Sequence, residues 1–87
     1  MNASPKTFNM EELIQPFLAA QDVSLNSRTT YSNALLQFTR WCAEKNYTEP
    51  KRENILSYKF FLDTKNLSAY TKAIYIVVVR RFFLWTE

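Results

Sequence analysis

Not one of the 87 residues is glycine. Two-residue hairpin loops depend on backbone at positive φ and draw on Asn-Gly, Asp-Gly or Gly-X pairs. A meander of short strands therefore has nothing to turn on. The segments between the polar joints are also long, which predicts a bundle of helices. The length allows one domain, residues 1–87, with a single modest core, and residues 1–8 read as a flexible lead-in.

Four helices can be placed. The first runs from Asn9, as cap, to Ala20, with Met10, Leu13, Ile14, Phe17 and Leu18 on its apolar face. Pro16 either kinks it or delays its start. The second, Ser24 to Lys45, carries Tyr31, Leu35, Phe38 and Cys42 at helical spacing with a wet opposite face, and Asn46 stops it. The third, about Glu53 to Thr64, sets Ile55, Tyr58 and Leu62 on one side. The fourth starts at Ser68 and contains TKAIYIVVVRRFFLW, residues 71–85. Its five β-branched residues cost about 2–3 kcal/mol in helix propensity. Burying three of them returns about 1.5–3 kcal/mol each, so packing prevails if the other helices surround this one. Only a strip with Ala69, Lys72, Ala73 and Arg80 lacks large apolar groups, apart from Ile76. Arg81 falls among apolar neighbours and is expected to snorkel to water. The longest apolar run, 73–79, is far short of the ~20 residues a membrane span needs.

Histidine is absent and Cys42 is the single cysteine. The commonest general base and the commonest metal ligand are thus missing together, and no nucleophile–base or paired-acid set can be drawn. A binding module is expected, with no cofactor and no metal, rather than an enzyme. Cys42, beside Trp41 on an apolar face, reads as core, and a lone cysteine fits a reducing, cytoplasmic setting. The net charge of +3 is uneven. Acids outnumber bases up to residue 25, and bases outnumber acids afterwards, which favours an anionic partner for the later part.

Two helix starts look alike. Ser24-Leu25-Asn26-Ser27-Arg28-Thr29-Thr30-Tyr31 and Ser68-Ala69-Tyr70-Thr71-Lys72-Ala73-Ile74-Tyr75 both read S-x-x-[ST]-[KR]-x-x-Y. Capping accounts for the hydroxyls. A cation near a helix N-terminus opposes the macrodipole, and a docked phosphate reverses that penalty. The expectation is that the two starts lie side by side as one phosphate-binding surface.

These residues carry a resemblance. Ser27, Tyr31, Leu35, Phe38 and Trp41, then Ile55 and Tyr58, then Thr71, Val79-Arg80, Phe82-Phe83 and Trp85 resemble, in order and spacing, the N-terminal core-binding domain of tyrosine recombinases, the phage integrases. The match spans roughly residues 8 to 86. It implies a SAM-like orthogonal four-helix bundle that clamps one side of duplex recombination-site DNA through its second and fourth helices. By the same resemblance Ser27, Arg28, Thr30, Thr71, Lys72 and Arg80 contact the DNA. Strand cleavage then belongs to a catalytic domain of the same polypeptide, absent from this chain, acting with other recombinase protomers in a bacterial or phage-encoded, nucleoid-associated setting. None of the five tyrosines is the nucleophile. The chain departs from many relatives in having Ala73, Ile74 and Tyr75 where they carry basic or polar residues. The alternative is a helical protein-interaction domain anchored by Tyr70, Phe82, Phe83 and Trp85.

Overall fold

The computed structural model describes residues 10–47 and 50–86. Four α-helices follow one another: α1 (Met10–Ala20), α2 (Leu25–Glu44), α3 (Glu53–Asp63) and α4 (Ala69–Thr86). The cap assigned to Asn9, the lead-in over 1–8 and the side chain of Met10 lie outside the described residues. α1 runs unbroken through Pro16, whose ring faces solvent.

The ends of the helices follow local chemistry. Ser24 takes the Ser27 amide on its hydroxyl at 3.2 Å, and Ser68 takes the Thr71 amide at 3.1 Å. Each satisfies an amide that the first turn leaves without an intrahelical partner. α2 stops at Asn46, which has φ 60°. The Asn46 amide reaches the Ala43 carbonyl and the Tyr47 amide reaches Cys42, while the Tyr47 ring packs edge-on to Trp41 at 5.4 Å. This is a Schellman stop with its hydrophobic clasp, and asparagine occupies the left-handed position that glycine usually takes.

The four helices form one all-α bundle. α4 packs against α2 and α3, and α1 lies on α2. Phe17 also reaches α4, with its ring 5.3 Å from Phe82 and 5.6 Å from Trp85. At the centre, Phe38 meets Tyr58 at 4.9 Å and Phe83 at 6.0 Å, both edge to face. Ile76, Val78, Val79, Phe82 and Phe83 of α4 are buried, so the β-branched run is a helix held by its surroundings. Its enclosure is incomplete: Tyr70, Val77 and Leu84 remain exposed. Arg81 does reach solvent, and its guanidinium donates to the Tyr31 hydroxyl at 3.1 Å. Cys42 is a free thiol in the core, and burial pushes its pKa from 9.0 up to about 12. Among the described residues no helix is long and apolar enough to cross a membrane.

Candidate functional site

The two similar helix starts have matching local geometry. In each, the serine hydroxyl faces the hydroxyl three residues on, Ser24 to Ser27 at 3.2 Å and Ser68 to Thr71 at 2.9 Å. In each, the amide of the following cation closes the first turn onto the serine carbonyl. Thr30 adds a hydroxyl bond to the Asn26 carbonyl at 3.3 Å.

The starts do not lie together, and the expected composite surface is not formed. Tyr31, near the beginning of α2, is bonded to Arg81, near the end of α4. At the other end, Trp41 and Glu44 share a cleft with Leu67 and Tyr75. The two helices therefore run in opposite senses, and Ser27 and Thr71 sit at opposite ends of the pair.

The structure also supplies the cations with a purpose that the sequence did not disclose. Arg28 donates to the Gln21 carbonyl, just past the end of α1, at 3.4 Å. Lys72 reaches the carboxylate of Asp63, the last residue of α3, at 3.5 Å. Each cation thus leaves its own helix start and settles at the finish of the helix before, where the dipole favours positive charge. Arg28 is half-buried, and its Nε is enclosed with no hydrogen-bond partner among the described residues. The Lys72 pair is more open, with the Asp63 side chain 55% exposed, and an exposed pair of this kind is readily exchanged for another anion.

Two of the expected residues do share a surface. Lys72 and Arg80 line a groove between α3 and α4 with Lys59 and Asp63, over a floor containing Leu62, Ala73 and Ile76. A second hollow, sharing Lys59, Ile76 and Arg80, continues past Arg52 to Leu56 and Leu84. The α4 strip that lacks large side chains has become this groove, because α3 leans over it. Lys59 and Arg80 are exposed and make no hydrogen bond or ion pair among the described residues. Arg52 and Lys59 escaped the sequence reading, although Arg52, Leu56, Lys59 and Asp63 follow helical spacing on the face of α3 away from Tyr58. Their regularity was the available signal.

A third feature lies between α2, α3 and the first half of α4. Trp41, Tyr58, Phe61 and Tyr75 wall a cleft of about 540 Å³ with Arg40, Glu44 and Lys65 in its lining. The Lys65 ammonium sits 4.8 Å above the Phe61 ring. The Trp41 indole N–H and the Tyr58 hydroxyl are both fully enclosed and have no hydrogen-bond partner among the described residues. Burial, then the neighbouring Tyr75 and Cys42, push the Tyr58 pKa upward, so this hydroxyl stays protonated.

Among the described residues no group of three or more His, Cys, Asp or Glu side chains could hold a metal ion. No family model matches this chain, and comparison with curated proteins and with solved structures returned no match.

Proposed function

We propose that this chain is a duplex-DNA-binding module with the SAM-like fold of a tyrosine-recombinase core-binding domain. The α3–α4 groove is the surface that meets the phosphates. The observation supporting this reading is the charge of that groove: Arg52, Lys59, Lys72 and Arg80 line it, and Asp63 is the one carboxylate among its described lining residues. From Lys72 to Arg80 the cations span about 12 Å of helix, a length over which a duplex presents several phosphates. The start of α2, with Ser27, Arg28 and Thr30, serves as a separate and weaker contact, because Arg28 is already engaged with the chain before it. Thr71 precedes Lys72 on α4, with its hydroxyl bonded to that of Ser68. In this reading the module positions DNA, and another domain of the parent polypeptide cuts it together with further protomers in a bacterial or phage cytoplasm.

Fluorescence anisotropy with a labelled duplex tests it. Four engaged cations give a log–log salt slope of about −3.6, so affinity falls about 150-fold between 50 and 200 mM salt. The double variant K59E/R80E is expected to remove most binding, and R28E to change it little. Absence of binding at the lower salt, or a slope unmoved by K59E/R80E, rejects the proposal.

A helical interaction module is the second reading, favoured by the exposure of Leu56, Phe60 and Leu84, each about 60%. The anchors first assigned to it change, however. Phe82 and Phe83 are buried at 0% and 6% exposure, leaving Tyr70 and Trp85 of that set at the surface.

A further inference from the structure

The cations of the α3–α4 groove have a use on duplex DNA, but its hydrocarbon does not. Leu56 is 58% exposed and Leu84 60%, and both line the hollow between Arg52, Lys59 and Arg80. Beneath them the floor is Ile55, Ile76 and Phe83. A phosphate backbone offers nothing apolar enough to cover two leucines, and the charges around them exclude a purely apolar partner. Phe60, one turn beyond Leu56 on α3, is 62% exposed but lines a separate hollow with Trp41 and Tyr47.

We propose that this groove docks an acidic amphipathic helix of a partner protein, in competition with DNA. Three observations set the chemistry of the occupant. The floor is apolar and continuous, so the occupant presents a stripe of large aliphatic or aromatic side chains. Among the described residues the rim carries Lys59, Lys72 and Arg80 with Asp63, so the flanks of that stripe carry Asp and Glu. From Lys72 to Leu84 the groove follows about 18 Å of α4, the length of a helix of about 12 residues, with apolar anchors at i, i+4, i+7 and i+11. The two hollows along it, about 320 and 430 Å³, each accommodate large side chains. An occupant of this kind covers Leu56 and Leu84 and neutralises Lys59 and Arg80 at once, which excludes DNA from the same cations. The competition rests on the DNA reading; the docking itself does not.

The experiment uses this chain and a synthetic peptide of about 15 residues, Leu and Phe on one helical face and Glu elsewhere, with two controls: the same composition scrambled, and the same sequence with Gln for Glu. Peptide anisotropy and amide shifts of the protein are followed. Expected are saturable binding of the patterned peptide, at least tenfold weaker binding of both controls, and shifts centred on Leu56, Lys59, Arg80 and Leu84. L56S/L84S is expected to lose the peptide by at least tenfold while keeping wild-type DNA affinity and salt slope, and K59E/R80E to lose both ligands. Equal binding of the scrambled peptide, or an unchanged affinity in L56S/L84S, overturns the proposal. DNA binding without peptide binding removes this inference alone. Peptide binding without DNA binding removes the DNA reading and the competition, and leaves the docking site standing.

Discussion

Replacing Tyr58 by phenylalanine should make the protein more stable, against the usual direction for a buried tyrosine. The ring is completely enclosed, lying 4.9 Å from Phe38, 5.1 Å from Trp41 and 6.1 Å from Phe61. Phenylalanine keeps every one of these contacts. What is lost is a hydroxyl with no partner among the described residues, and an enclosed, unpaired polar group costs about 1–3 kcal/mol. The small void left by one oxygen, about 20 Å³, returns about 0.5 kcal/mol of that. The net expectation is a gain of about 0.5–2.5 kcal/mol, which raises the melting temperature by about 4–8 °C per kcal/mol for a domain of this size. Thermal unfolding by circular dichroism and urea titration give both quantities, and an unchanged m-value confirms that the denatured state is not the cause. A loss of 1 kcal/mol or more refutes the reasoning, because that is the signature of a hydroxyl that has a partner, most simply a trapped water shared with the Trp41 N–H.

Two further outcomes are expected. The pKa values of Cys42 and Tyr58 are both raised in the folded state, so above the unfolded values the folded chain holds more protons. Stability is then fully present below about pH 9 and declines as pH climbs through and beyond that value, by at most about 1.4 kcal/mol per pH unit for each group. Urea midpoints measured from pH 8 to 11 check this, and C42A should flatten the early part of the decline; a midpoint constant across the range contradicts it. At Asn46, N46A should destabilise by about 1 kcal/mol because it loses the short polar side chain whose local hydrogen bonding lets asparagine hold the left-handed conformation, and N46G should be neutral or slightly stabilising because it removes the Cβ that opposes it. Equal melting temperatures for the two variants dismiss the role given to that residue.

The helices were legible because their ends are written locally. Ser24 and Ser68 cap α2 and α4, Asn46 closes α2, and the four spans agree with the expected ones to within about a residue at each end. Most of the core was legible too, since Leu35, Phe38, Cys42, Ile55, Tyr58 and Leu62 recur at helical spacing and are buried. The relative sense of α2 and α4 was not legible. It is set by which faces find each other across the bundle, through pairs such as Tyr31–Arg81 and Phe38–Phe83 that lie far apart in the chain. Nothing at either helix start encodes that choice. The α3–α4 groove was half legible: Lys72 and Arg80 stood out on α4, whereas their companions Arg52 and Lys59 belong to a helix whose basic face drew no notice.

The fate of the two repeated cations explains where a binding surface can form on this fold. Arg28 and Lys72 occupy the same place in the same local pattern, and each reaches back to the end of the preceding helix. Their surroundings then separate them. Arg28 meets a backbone carbonyl beside its own buried Nε, so its charge serves the joint between α1 and α2. Lys72 meets an exposed carboxylate at the mouth of a groove that holds three more cations, so an arriving anion can replace Asp63 without breaking a buried contact. A repeated motif thus supplies two equivalent joints, and only the Lys72 joint opens onto the α3–α4 groove. The bundle's choice of neighbours, placing α3 rather than α1 alongside the polar strip of α4, turns the Lys72 charge into part of a surface.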